Sequence, residues 1–530
     1  MSQKTYLILN LHAHLPYIPA SENGVLEENW FFEAVTESYI PLISMMQNLS
    51  DEGIKPALTF SLSPTLGAML ENEEMEKKLT KYVSNRLALC EKELETSKDQ
   101  RISSVILMYR ALYESAAETI AKYSGDLITP LKRLQHNGQI EIITTSATHA
   151  VMPLISRKES IRAQISLACD DYKDRFNRPA AGFWLPECAY DGRLEKELKL
   201  SDIKYFFLES RACSDSFPNS VFSAYRSKED LNYFFRDSEA SRRVWSADFG
   251  YPGNGVYREF YKDIGYDRDL EYLYPYTGTR IKSPTGLKYY RITEKGASLD
   301  KKEIYDYESA QIQAEKDARD FLNYLCAKSQ KIYESRGIRP LINCCFDAEL
   351  FGHWWFEGPE FLENVIRIIR KDRLPVQIVT PCEYLQIAGS LPCDSSPCVS
   401  SWGEKGYFDP WINDNNDFIY PKLYEVVSKT AKLADRHKNQ DLSFVFKRAL
   451  NQLAREVLLA QSSDWAFMIY VGPHGEYAKK RFNYHIDNAV NLIKEISERN
   501  IDEKKLLKLE KENFIFRNAD FRIFCSDASF

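Results

Sequence analysis

Carboxylates that directly follow apolar runs are the most reactive feature of this sequence. In Gly182-Phe183-Trp184-Leu185-Pro186-Glu187-Cys188-Ala189-Tyr190 a single glutamate ends a strand-like run, with Trp and Pro beside it. Aromatic surroundings desolvate a carboxylate and offer a stacking face to a sugar ring. The plainer alternative for Glu187 is an acid at the start of the following helix. A second segment, Phe346-Asp347-Ala348-Glu349-Leu350-Phe351-Gly352-His353-Trp354-Trp355-Phe356-Glu357-Gly358-Pro359, crowds acids, a histidine and two Trp behind another buried run. Packing alone does not justify that polar cost. Paired carboxylates on strand ends, framed by aromatics, suit glycosidic bond cleavage: one attacks while the other gives and takes a proton.

The third segment is His12-Ala13-His14-Leu15-Pro16-Tyr17. Strand spacing turns both imidazoles to one side. With Asp347 or His149 they could ligate a metal; as neutral rings they could grip sugar hydroxyls; or they could be core histidines satisfied by backbone. The residue types leave all three open. Cys344-Cys345, inside an apolar run, reads as core packing rather than redox chemistry.

These residues need elements to hold them. Strand candidates are Thr5–Leu11, Lys55–Leu62, Ile140–Ser146, Ala180–Leu185, Ile203–Leu208, Pro340–Phe346 and Val376–Thr380. Most are continuously apolar, the pattern of a parallel sheet covered on both faces. Amphipathic stretches such as Trp30–Leu49, Ile161–Arg175 and Pro359–Lys371 alternate with them. His12 and His14, His149, Glu187, Glu209 and Asp347 each fall at the C-terminal end of a different run, which is how a (β/α) barrel assembles its site. Seven candidates predict an incomplete barrel over residues 1–389. From Ala212 to about Asp300 the chain is rich in Tyr, Arg, Gly and Pro without helical periodicity, and reads as insertions over the barrel mouth. A Ser/Pro/Cys-rich linker, 390–401, precedes a helical domain at 402–530, with apolar stripes in Tyr424–Arg436, Leu442–Gln461 and Gly475–Glu498.

At 530 residues the chain has room for a large catalytic domain and an appended one. A net charge of −7 argues against nucleic acid as a partner. The N-terminal apolar run is too short for a signal segment, and no stretch approaches a membrane span. Eleven Cys without C-x-x-C spacing predict a reduced, cytoplasmic protein, as a monomer or small homo-oligomer.

In order along the chain, His12–Tyr17, Ala147-Thr148-His149, Trp184–Tyr190, Asp347–Pro359, Ser401-Trp402-Gly403 and Ser462-Ser463-Asp464-Trp465 resemble the signature regions of glycoside hydrolase family 57, above all its 1,4-α-glucan branching enzymes. The resemblance implies an incomplete (β/α)7 barrel, a small helical insertion and a C-terminal helical domain that helps to close the cleft. It implies a retaining mechanism without metal or other cofactor, with Glu187 as nucleophile and Asp347 as acid/base. It assigns His12, His14 and His149 to the sugar at the cleavage point. By the same matching, Arg236, Trp245, Gly253, His353, Trp402, Trp411 and Asp464 are expected to bind an α-glucan. A same-family amylase-like hydrolase or 4-α-glucanotransferase is the nearest alternative, and a metal-dependent deacetylase using His12, His14 and Asp347 a remote one.

The chain departs from the family pattern in three places. Ser210–Phe235 is short for the Tyr-bearing loop that overhangs the site in branching enzymes, with Tyr225 as its only candidate stand-in. An extra segment, Tyr261–Lys288, is expected to cover the site instead. Phe418 stands where Trp is usual.

Overall fold

The computed structural model describes residues 5–19, 27–393 and 396–526. Its strands are β1 (Thr5–Ala13), β2 (Thr59–Leu62), β3 (Glu141–Thr145), β4 (Gly182–Trp184), β5 (Tyr205–Leu208), β6 (Ala224–Arg226), β7 (Asn232–Phe235), β8 (Leu341–Asp347) and β9 (Val376–Ile378). They run in the order β6-β7-β5-β4-β3-β2-β1-β8, and β9 pairs beside the start of β1. Every neighbouring pair is parallel except β6 with β7. β1 is buried along its whole length, as a strand covered on both faces must be.

Seven parallel strands, β1 to β5 with β7 and β8, make the incomplete (β/α)7 barrel. Between β7 and β8 there is no ladder. The gap is spanned by Asp237 N–H donating to the Asn343 carbonyl at 2.7 Å and by Asn343 Nδ2 donating to the Phe235 carbonyl at 3.2 Å. The expected strand count is right for a partly wrong reason. Val376–Ile378 lies outside the ring, and its place is taken by Asn232–Phe235, inside the stretch read as insertions. Four residues of Asn-Tyr-Phe-Phe leave no alternation to see in a Tyr-rich context. They form a strand because their aromatic rings are buried between β5 and β6. The same stretch also holds a helix, Ser238–Trp245, capped by the Asp237 carboxylate on Ala240 N–H.

Between β2 and β3, helices α1 (Glu73–Thr96) and α2 (Gln100–Tyr123) form a hairpin. Helix α3 (Leu270–Thr277), in the extra segment, packs on α1. There Arg268 pairs with Glu93 at 2.7 Å, Tyr272 and Tyr289 donate to the same carboxylate, and Arg86 donates to the Tyr276 carbonyl. The expectation that Tyr261–Lys288 covers the site is therefore corrected. Arg268, Tyr272 and the Tyr276 carbonyl fasten it to α1, and of the segment only Tyr261 lines the cleft.

The C-terminal part is helical: α4 (Ile419–His437), α5 (Phe444–Ala460), α6 (Ser463–Val471) and α7 (Gly475–Glu498). Their apolar stripes meet in a core that also buries a hydrogen bond, His485 Nδ1 donating to Glu456 at 2.7 Å. The segment expected as a linker is fastened to the barrel, apart from residues 394 and 395, which lie outside the described ones. Arg226 N–H donates to the Pro392 carbonyl, Cys398 N–H to Ala212 and Tyr190 N–H to Ser400. Among the described residues no helix is long and apolar enough to cross a membrane.

Candidate active site

The C-terminal ends of the barrel strands carry the site. Parallel register sets His12 beside Ser61 on β2 and beside Asp347 on β8. Glu187 leaves β4 in a left-handed turn, φ 60° and ψ 22°, followed by Cys188 at φ 47°; His149, after β3, also has φ 56°. Such conformations cost about 1–2 kcal/mol each in a residue with a Cβ, and they recur where surroundings hold a functional side chain against its preference. The surroundings here are identifiable. Trp402 N–H donates to the Glu187 carbonyl at 2.9 Å, and Ser463 N–H donates to the His149 carbonyl at 3.0 Å. The chain after the barrel thus clamps both strained residues.

The polar floor is one hydrogen-bond chain. Ser463 Oγ donates to Glu187 Oε1 at 3.0 Å, so it accepts from His149 Nδ1 at 2.8 Å. His149 Nε2 must then accept, from His12 Nε2 at 2.8 Å, and His12 Nδ1 accepts from Ser61 Oγ at 3.0 Å. With Glu187 ionised, every proton from Ser61 to the carboxylate is assigned, and both rings are neutral. Burial, reinforced by the neighbouring imidazoles, holds both rings well below the usual histidine range. His14 stands alongside. Its Nε2 donates to Asp464 Oδ2 at 3.1 Å and its Nδ1 meets Ser63 Oγ at 2.9 Å.

His14, His149 and Asp464 each place a ligand atom within 4.8 Å of the others, close enough to consider a metal ion. The rings argue against it. They are stacked with centroids 3.8 Å apart and planes within 14°. Lone pairs in two nearly parallel planes cannot converge on one ion lying in both.

Glu187 also accepts from Trp402 Nε1 at 2.7 Å. Burial pushes its carboxyl up to about 8, the Trp402 hydrogen bond opposing and the charges of Asp347 and Asp464 adding. Asp347 opens to the cleft but is enclosed by protein, which pushes it up to about 6 against the pull of Arg236 and His14. The two carboxyls behave as a pair sharing one proton near neutrality. Donors decide where the negative charge rests. Trp402 and Ser463 both point at Glu187, whereas Asp347 accepts no hydrogen bond from the described residues. Beside Asp347 opens a cavity of about 680 Å³, bounded among others by Arg236, Trp245, Gly253, Trp354 and Trp402.

The model of glycosyl hydrolase family 57 matches residues 8–392. The chain belongs to this family. The model of the 1,4-α-glucan branching enzyme C-terminal region matches residues 422–524. The 1,4-α-glucan branching enzyme TK1436 of Thermococcus kodakarensis is 32% identical over 97% of this chain and 78% of its own length. Among solved structures, the α-amylase AmyC of Thermotoga maritima superposes with a TM-score of 0.92 at 34% identity, covering 99% of this chain and 100% of its own. The branching enzyme of Pyrococcus horikoshii gives 0.89 at 29%, covering 100% and 98%.

In this family 57 chain the structure gathers most of the expected residues. Glu187, Asp347, His12, His14, His149, Asp464 and Trp402 meet at the floor. Arg236 is paired with Glu209 at 3.1 Å and lies 5.5 Å from the Trp402 ring. Trp245 and Gly253 line the cavity wall. A Cβ at Gly253 would come within 2.0 Å of the Ala247 carbonyl oxygen, so that wall admits only glycine.

Three expectations need correction. Trp411, expected at the cleft, is 2% exposed in the core behind Gly403, where the apolar interior outcompetes the rim. His353 turns its Nδ1 to Glu37 at 3.0 Å instead of to the floor; its neighbour Trp354, stacked on Phe260 with centroids 4.6 Å apart, is the side chain that lines the cavity. Tyr225 is 2% exposed with its hydroxyl on the Ser220 carbonyl, so it overhangs nothing. Reasoning on the sequence missed Ser61, Ser63 and Ser463 as partners of the histidines. The period-two pair Ser61 and Ser63, mirroring His12 and His14 on the next strand, was the available signal. It also missed Glu349, which accepts from Tyr39 and from His14 N–H and is pushed up to about 8 by burial and by Asp347.

Proposed function

We propose that this chain is a 1,4-α-glucan branching enzyme that works by double displacement with retention. The Glu187 carboxylate attacks the anomeric carbon of a glucan held on the histidine floor. The glycosidic C–O bond breaks, and its oxygen takes the proton of Asp347. The resulting glycosyl ester on Glu187 is then attacked by the 6-hydroxyl of an acceptor glucan. That hydroxyl gives its proton to Asp347 and the ester bond breaks, restoring both carboxyls. His14 and Asp464 face the sugar undergoing substitution, His12 and His149 hold Glu187 in place through Ser463, and Arg236, Trp245, Gly253 and Trp402 flank the leaving and accepting chains.

One observation carries this reading above the others. Helix α6, inside the segment matched by the branching-enzyme C-terminal model, itself supplies Ser463 to Glu187 and Asp464 to His14. None of the eleven cysteines is in a disulfide and five are buried, which fits a reducing compartment, and we read the protein as a cytoplasmic enzyme of glycogen-type polymer synthesis.

A hydrolase is the second reading. The similarity to AmyC favours it, as does the burial of Tyr225, which leaves no tyrosine from that excursion above the glycosyl ester. Proton NMR of the products from amylose separates the two, because α-1,6 and α-1,4 anomeric signals are resolved. Branching predicts a growing α-1,6 signal; reducing ends without that signal would reject branching in favour of hydrolysis.

A further inference from the structure

Helix α6 (Ser463–Val471) has two faces with different fates. Trp465, Ala466 and Ile469 are buried, whereas Phe467, Tyr470 and Val471 are exposed, at 44%, 37% and 48%. Residues three and four apart share one face of a helix. Asp464, Phe467 and Tyr470 therefore form a single row that starts on the catalytic floor and runs outward. At 1.5 Å per residue it extends about 9 Å beyond Asp464. Opposite this row runs the turn Glu404–Gly406: Tyr470 donates its hydroxyl to Glu404 Oε2 at 3.3 Å, and Tyr407 just beyond is 63% exposed. The turn follows directly on Trp402, which binds Glu187. Aromatic rings presented on a track continuous with a sugar site, with carboxylate and hydroxyl groups between them, suit a carbohydrate chain, whose rings have apolar faces and polar edges.

Phe467, Tyr470 and Tyr407 do not line the cavity beside Asp347. Asp347 protonates the departing oxygen and opens to the 680 Å³ cavity, so the released chain occupies that cavity. The chain that stays on Glu187 must leave by another route. We propose that it runs over Phe467 and Tyr470 towards Tyr407, and that this track sets how long a segment is transferred. The assignment of sides rests on the roles given above to Glu187 and Asp347. No other class of occupant shares its starting point, because the row begins at a residue on the sugar floor.

Two measurements test the track. In the Glu187→Gln protein, Phe467→Ala with Tyr470→Ala should weaken maltoheptaose binding roughly fivefold or more by calorimetry, the scale of truncating aromatic anchors. Phe444→Ala removes an aromatic that is 76% exposed on α5 and should leave binding unchanged. In the active enzyme, the same double substitution should shift the debranched product chains to shorter lengths. Unchanged maltoheptaose affinity, or equal weakening by Phe444→Ala, overturns the track. An unaltered chain-length profile overturns its role in measuring the transferred segment. An enzyme that forms no α-1,6 bonds would instead overturn the branching reading, and the affinity comparison would still decide whether glucan binds the track.

Discussion

Glu187 and Glu209 end neighbouring strands, β4 and β5, and look alike as sequence: an acid behind an apolar run. Their surroundings make them opposites. Burial works against ionisation of Glu209, but Arg236, Ser238 and Ser210 outweigh it and hold its carboxyl below the usual range. Glu187 has no cation of comparable strength. It has two neutral donors, two carboxylate neighbours and a left-handed backbone. A buried acid neutralised by a fixed guanidinium holds structure. A buried acid kept reactive by incomplete compensation can exchange charge with a substrate.

The largest expected effect separates these two glutamates. Glu187→Gln and Asp347→Asn should each lower turnover by about 10⁴-fold or more with the fold intact, since the pair acts as a unit. Glu209→Gln should lose only roughly 10- to 100-fold, through misplacement of Arg236. It should also cost about 3–5 kcal/mol of stability, because it leaves a buried guanidinium unpaired. Turnover on amylose and thermal unfolding, measured on all three variants, give the answer. Equal losses for Glu187→Gln and Glu209→Gln would erase the distinction.

The comparison also shows what could be read without coordinates. Strand ends bearing His12, Glu187 and Asp347 were legible because buried parallel strands are continuously apolar and stop abruptly at polar residues. β7 was not legible. Tyr and Phe in Asn232–Phe235 serve a barrel strand as well as they serve a loop over sugars, and only pairing with β5 decides. The same ambiguity put Trp411 at the cleft and Tyr225 over it, when both are buried. Aromatic residues carry no label for core or platform. The partners of Glu187 were hidden for another reason. Trp402 and Ser463 come from 215 and 276 residues away, and no local pattern announces a hydrogen bond across that separation.

An intermediate effect concerns the donors to Glu187. One shared proton implies a bell-shaped pH profile for kcat/KM, with two limbs that belong to the pair and not to either carboxyl alone. Below the lower limb both carboxyls are protonated and the nucleophile is lost. Above the upper limb both are ionised and the acid is lost. Trp402→Phe removes the indole N–H that stabilises the Glu187 anion, so the carboxyl rises further and the acid limb moves up. A hydrogen bond to a charged group contributes about 1.5–3 kcal/mol, which corresponds to roughly one pH unit or more. An acid limb that stays in place in Trp402→Phe would show that this donor does not hold the charge.

The smallest expected effect is none at all. Prolonged EDTA treatment should leave turnover unchanged, although His14, His149 and Asp464 are close enough to suggest a metal. Every nitrogen of His12, His14 and His149 already faces a polar partner, so an ion would have to break the chain that ends on Glu187 and rotate two stacked rings. Added zinc, if it binds by forcing that rotation, should inhibit. Its inhibition should weaken in Asp464→Asn, which loses the carboxylate ligand but can still accept a hydrogen bond from His14. Loss of activity on chelation, with recovery on adding zinc, would contradict the neutral hydrogen-bonded floor. It would place His14, His149 and Asp464 around an ion, and remove the contrast between a compensated Glu209 and an uncompensated Glu187.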